Sequence, residues 1–275
     1  MKIKITIIAV LLAAFVFAGA CSKGTSSGSN ARAAAPYTIE VGGSTSVSPL
    51  MEMFAESYQH AKTHIKVNIN GTGSGDGINN AGALYQIGMS SRELTPAEQG
   101  KGLKETVIAI DGIAVIVNKN NSASNLSIDQ IRDIYTGAIT DWSQVGGAAG
   151  KIAVISREEG SGTRGAFEEI VRFQGKLLAG ANESTSTGAI KAGITQNPNA
   201  IGYISLGSLD DTIKAISVGG VAPVTANVTS GEYKIARPFI VLTGSNIHAE
   251  SAAFVEWMLS SEGQAIVSKS WIRVK

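Results

Sequence analysis

The chain has 275 residues, 44% of them hydrophobic, with 23 basic against 22 acidic side chains. That is apolar material enough for one large domain or two smaller ones around a sizeable core, and the balanced charge argues against a nucleic-acid-binding protein. The single cysteine, Cys21, excludes an intrachain disulfide, so the fold must be stabilised by its core whatever the redox compartment.

Lys2 and Lys4 precede an apolar stretch from Ile5 to Phe17 and then the small residues Ala18, Gly19 and Ala20, the pattern of an export signal over residues 1–20. The apolar run, about 13 residues, falls short of the ~20 that a membrane-spanning helix needs. Cys21 follows directly, where bacterial lipoproteins are cleaved and lipidated. The segment resembles a lipobox, departing from it at Ala18, where Leu is usual; an unlipidated, secreted form is the alternative. Loss of Lys2 and Lys4 with the signal changes the net charge from +1 to −1. From Cys21 to residue 35 the chain is rich in Ser, Gly and Ala without apolar periodicity, as a flexible tether would be. The folded body is expected to start near Pro36.

A strand over Tyr37–Val41 runs into Gly42-Gly43-Ser44, and Leu50, Met53, Phe54 and Tyr58 then recur at helical spacing. The same strand, turn, helix order repeats from Ile65–Ile69 through a glycine-rich turn. It repeats again from Ile152–Ile155 into a helix carrying Phe167, Ile170 and Val171. Alternating strands and helices predict an α/β fold. Val107–Ile110, Ile113–Val117 and Phe239–Leu242 are continuous apolar runs, as in strands covered on both faces of a mixed internal sheet. Asp111-Gly112-Ile113 and Ala236-Arg237-Pro238 read equally well as turns or as crossings between two lobes.

Three predicted helix starts are loaded with Gly, Ser and Thr: Gly43-Ser44-Thr45-Ser46, Gly73-Ser74-Gly75 and Gly160-Ser161-Gly162-Thr163. A helix N-terminus offers unpaired N–H groups and partial positive charge, hydroxyls add donors, and glycine lets the backbone approach closely, so such a turn can hold an oxyanion. Each alone is better explained as capping. Three together, with Ser90-Ser91-Arg92 after an apolar strand and Arg157 just before Gly160, can surround a tetrahedral anion. Arg157 would supply the permanent charge and forked donors that hydroxyls lack; its alternative is a surface ion pair with Glu158 or Glu168.

Other chemistry finds little support. The run Gly71-Thr72-Gly73-Ser74-Gly75-Asp76-Gly77 has neither the Lys of a P-loop nor the dinucleotide glycine spacing, and from Pro36 onward no Ser stands in a Gly-x-Ser-x-Gly elbow. His60 and His64, four apart, could share a helix face, but no Glu completes a zinc motif, so no metal and no cofactor is predicted. His248 reads as exposed in the first turn of a helix. Trp142, Trp257 and Trp271 read as core.

The order of Gly42-Gly43-Ser44-Thr45-Ser46, Gly71-Thr72-Gly73-Ser74-Gly75, Ile87-Gly88-Met89-Ser90-Ser91-Arg92, Asp111-Gly112-Ile113-Ala114-Val115 and Arg157-Glu158-Glu159-Gly160-Ser161-Gly162-Thr163-Arg164 resembles the periplasmic-type phosphate-binding proteins of ABC importers, from Tyr37 to the C-terminus. The resemblance implies the two-lobed type II periplasmic-binding-protein fold with two hinge crossings. It places residues 36–112 and 238–275 in lobe I and 113–237 in lobe II. It implies ligand contacts from Thr45 and Ser46, from Ser74 and Gly75, and from Ser91. From the other lobe it implies Arg157, Ser161, Gly162 and Thr163. Some family members carry an aspartate in the third turn to accept the proton of phosphate; Ser91 stands there in this chain, leaving Glu159, Asp76 or a hydroxyl as the acceptor. Phosphate handed to ABC permease subunits by a lipid-anchored monomer outside the cytoplasmic membrane is the function implied. Receptors for sulfate, molybdate or tungstate are the alternatives. An enzyme would need a base or metal that the pattern lacks, and a surface adhesin would leave the hydroxyl turns unexplained.

Overall fold

A computed structural model describes residues 35–274. The expected signal peptide, the lipid attachment at Cys21 and the tether up to residue 34 lie outside the described residues.

The first run is β1 (Tyr37–Gly43), α1 (Ser48–Ala61), β2 (Ile65–Gly71), α2 (Ser74–Asn80) and β3 (Ile87–Ser90), with β1 parallel to both β2 and β3. Pro49 presets the first turn of α1, and Leu50, Phe54 and Tyr58, one turn apart, face the core with Met51 and Ala55. The helix stops at Ala61, so His64 lies beyond it and shares no helix face with His60. His64 instead sits 3.4 Å from Glu250.

After the short α3 (Pro96–Gln99) comes β4 (Lys104–Asn118), the element that organises the molecule. The sequence leaves open a turn at Asp111-Gly112-Ile113; the structure has one uninterrupted strand. Next come β5 (Asn125–Leu126), α4 (Ile128–Tyr135), β6 (Ala153–Arg157), α5 (Gly162–Val171), β7 (Asn182–Ser184), α6 (Thr187–Gln196), β8 (Ala200–Ser205), β9 (Ile213–Ala215), β10 (Ser217–Val218) and α7 (Thr225–Thr229). The chain returns through β11 (Ala236–Thr243) and closes with α8 (Ala249–Met258) and α9 (Ser261–Val267).

The main sheet runs β2-β1-β3-β11-β4-β8-β6-β7, with β9 also on β4. Residues 104–112 of β4 pair antiparallel with β11, whereas 113–117 pair with β8, so one strand serves two cores. The first core gathers Ile39, Leu50, Phe54, Ile87, Ile108, Phe239 and Phe254. The second gathers Ile113, Val115, Val117, Trp142, Phe167 and Tyr203 on one face of β4, and Ala114 and Ile116 meet a further cluster on the other. Both faces are buried, which is why this stretch reads as an unbroken apolar run. Val107 is the exception, 39% exposed.

Where β4 and β11 pass between the cores, Asp111 and Arg237 are register partners and form a fully buried ion pair at 3.2 Å, with Ser205 Oγ donating to the other Asp111 oxygen at 2.8 Å. Burial pushes Asp111 up to about 6, against the pull of Arg237.

Candidate functional site

The carboxyl ends of parallel strands are where α/β sheets place ligands, because successive loops and helix N-termini converge there. Here β1, β2 and β3 deliver their three turns to one point. Thr72 N and Gly73 N both donate to Gly43 O at 2.8 Å, and Ser44 N donates to Met89 O at 3.0 Å. Gly73, at φ 101°, takes the position before α2 that a side chain would strain. Ser44 Oγ donates to Ser91 Oγ at 2.9 Å, and Ser91 N donates to Ser74 Oγ at 3.1 Å. The first, second and third turns are therefore one hydroxyl cluster.

The turn after β6 meets this cluster from the second core. Ser46 Oγ lies 2.7 Å from Thr163 Oγ1, and Gly75 N donates to Gly160 O at 2.9 Å. Gly162 is demanded by space: a Cβ there would overlap the Ser74 hydroxyl and lie 2.8 Å from Ser91 Oγ. Ser161 caps α5, its Oγ accepting from Arg164 N at 3.3 Å. Ser46, Ser74, Ser91, Ser161 and Thr163 are all within 2% of complete burial. Thr45, at the rim, is half-buried. Buried hydroxyls at the starts of α1, α2 and α5 can direct donors at a small anion from several sides.

Arg157 ends β6 and is 2% exposed. Its Nε and Nη2 donate to the two oxygens of Glu158 at 2.9 and 2.8 Å, and the same nitrogens reach the carbonyls of Ser184 and Thr185 at 3.2 and 3.4 Å. The pair foreseen as a surface contact is thus a buried arginine held by a half-buried partner. Glu168 is engaged by Arg164 instead. Tyr203 OH accepts from Arg157 N at 3.2 Å and lies 2.8 Å from Ser156 Oγ. Burial pushes the Tyr203 phenol up to about 12, so it stays protonated at any ordinary pH.

Neither of the two carboxylates expected as proton acceptors bonds to a hydroxyl of the cluster. Asp76 has its oxygens taken by Thr72, Asn80 and Tyr85 at 2.5, 2.7 and 2.9 Å. Glu159 is exposed, and it is Glu158, the residue before it, that orients Arg157.

Thr187 is a cluster member that the sequence reading passed over. It starts α6, and its Oγ1 lies 3.3 Å from Ser46 Oγ and 3.4 Å from Thr45 Oγ1. The run Ser184-Thr185-Ser186-Thr187 before Gly188 is the signal that could have revealed it, being the same hydroxyl-rich helix start seen in the other three turns. Among the described residues no group of three or more His, Cys, Asp or Glu side chains could hold a metal ion.

Residues 25–262 match the family model of the PBP superfamily domain. The chain is 31% identical to the phosphate-binding protein PstS of Borreliella burgdorferi, over 84% of this chain and 88% of that one. It is 32% identical to PstS of Bacillus subtilis, over 86% and 82% respectively. Among solved structures it is similar to a Clostridium perfringens protein holding bound phosphate, with a TM-score of 0.85 and 45% identity over 87% of this chain and all of that one. An ABC-type phosphate transport receptor from Vibrio cholerae superposes with a TM-score of 0.71 at 33% identity, over 86% of this chain and 100% of that one.

Proposed function

The chain belongs to the PstS family of phosphate-binding proteins, within the PBP superfamily and with its two-lobed fold, and on that premise we propose that it captures inorganic phosphate between its lobes and delivers it to an ABC importer. The family is one of solute-binding proteins, not of enzymes. The observation that carries the proposal is the buried meeting of Ser46, Ser74 and Ser91 from the first core with Gly162 and Thr163 from the second, with Arg157 buried at the end of the strand that leads into the Gly160–Thr163 turn. Donors from both sides, with one fixed charge, suit a small anion stripped of water.

In this reading Thr45, Ser46, Ser74, Gly75 and Ser91 contact the anion from lobe I, and Arg157, Ser161, Gly162 and Thr163 from lobe II. The lobes, 36–112 with 238–275 and 113–237, close about the crossings at Asp111–Ile113 and Ala236–Pro238. The sequence supports an exported monomer held to the membrane through lipid on Cys21, where permease subunits receive the ligand.

A second reading, a receptor for sulfate, molybdate or tungstate, draws on the placement of Asp76 and Glu159 outside the hydroxyl cluster. Phosphate near neutral pH keeps a proton that sulfate lacks, and an acceptor facing that proton separates the two. Ser91 can be that acceptor: a hydroxyl both donates and accepts, and it repels neither anion as a carboxylate would repel sulfate. We expect selectivity for phosphate that is real but shallower than a carboxylate would give.

Thermal melting tests the proposal. A ligand of the folded state raises the melting temperature by simple linkage. Phosphate at matched ionic strength should stabilise the protein, with no turnover of phosphomonoesters. Indifference to phosphate would favour a surface adhesin, and release of phosphate from esters would favour an enzyme.

A further inference from the structure

The connection between β7 and α6 touches the site twice. Its carbonyls at Ser184 and Thr185 accept from Arg157, and two residues on, Thr187 reaches from the start of α6 to two residues of the turn before α1. Thr187 N donates to Thr45 Oγ1 at 3.4 Å, its Oγ1 lies 3.3 Å from Ser46 Oγ, and Ser46 Oγ in turn lies 2.7 Å from Thr163 Oγ1. Burial is graded along this chain of hydroxyls: Ser46 and Thr163 are 1% exposed, Thr187 is 7% exposed, and Thr45 is half-buried. Thr45 and Thr187 also line a cavity of about 330 Å³ with Ser48, Glu52, Lys191 and Ser208. The Thr45–Thr187 contact therefore stands at the rim, between the buried cluster and this cavity.

From this geometry we infer that Thr187 is a positioning residue for phosphate retention: its hydroxyl, bridging to Thr45 and Ser46, orients Ser46 toward the anion and holds the lobes shut at the rim. The inference rests on the reading of the cluster as the phosphate site. Both of its partners belong to the other lobe, so the bridge exists only with the lobes together. It contributes to the closed state and nothing to the open one. Its loss must then appear in the release rate, because association begins from the open form.

The test is a chase of radiolabelled inorganic phosphate from the full-length protein, with association measured separately and ligand-free melting as a control. Thr187→Val keeps the shape and removes the hydroxyl; loss of two weak hydrogen bonds should speed release about tenfold while association stays within about twofold. Thr187→Ser, which restores the hydroxyl, should release within about threefold of wild type, and neither variant should shift ligand-free melting by more than about 2 °C. Release from Thr187→Val at the wild-type rate, a Ser variant as leaky as the Val variant, or an equal fall in association would each overturn the inference. If Thr187→Val does not fold, Thr187→Ala is read by the same criteria. Wild-type protein that retains no phosphate overturns the functional proposal itself, and that result is known before any variant is compared.

Discussion

Ser46 Oγ and Thr163 Oγ1 lie 2.7 Å apart although 117 positions separate them, and both side chains are about 1% exposed. A buried polar group needs a partner, and each of these hydroxyls finds one in the other. Their meeting brings the starts of α1 and α5 to one point, where they can share a ligand.

The same convergence makes Gly162 a sensitive position in the site. A methyl group there would overlap the Ser74 hydroxyl and crowd Ser74 Cβ, so the Ser74 and Ser91 hydroxyls must turn from their places in the cluster or the two turns must part. Gly162→Ala should therefore melt near the wild-type temperature without ligand yet bind phosphate at least a hundredfold more weakly, about 3 kcal/mol. Wild-type affinity in this variant would show that Ser74 and Gly162 do not approach as described.

In the proposed site Arg157 supplies the charge. Arg157→Ala leaves Glu158 without its partner and removes the forked donor, so binding should weaken by about 3 kcal/mol or more in a titration. Arg157→Lys keeps the charge but not the fork and should fall between. Glu159→Gln, at an exposed position, should change affinity less than about twofold.

Much of this was legible in the sequence, and the exceptions have physical causes. Strand runs such as Ile113–Val117 were readable because burial on both faces leaves no polar alternation. The hydroxyl turns were readable because Ser, Thr and Gly recur at helix starts. Asp111-Gly112 read as well as a turn as it did as a crossing, because Asp and Gly favour turns. Nothing local announces that Asp111 is satisfied by Arg237, 126 positions away. The sequence offered Glu158 and Glu168 alike as partners of Arg157; the choice of Glu158 is set by side-chain direction and by Arg164 taking Glu168, which spacing alone does not give.

The buried Asp111–Arg237 pair should show the asymmetry of buried ions. Asp111→Asn strands the Arg237 charge and should cost about 3 kcal/mol in urea unfolding, whereas Asp111→Leu with Arg237→Met should recover most of it. Asp111 is raised from 3.8 to about 6 by burial, so between those values the folded state holds a proton that the unfolded chain has lost. Wild-type stability should fall as pH rises through that window relative to Asp111→Asn. A flat difference would contradict the placement of the carboxylate.

Glu98 has the opposite sign. Two hydrogen bonds from Arg92, at 2.7 and 2.8 Å, take it from 4.5 down to about 2. The stabilisation is present above 4.5 and is lost as pH falls toward 2. Solvent screening limits it to about 1 kcal/mol, which Glu98→Gln should remove at neutral pH but not at the acid end. Arg92 lies against α5, where a Cβ at Gly165 would sit 3.2 Å from its Cδ, so the variant should also loosen phosphate binding slightly.

The most direct measurement is a calorimetric titration of the anion-free protein with phosphate and then with sulfate, near neutral pH. The account predicts tight binding of phosphate at one site per chain, with sulfate bound measurably more weakly. No heat with phosphate, under conditions where the protein is folded, would contradict the central claim.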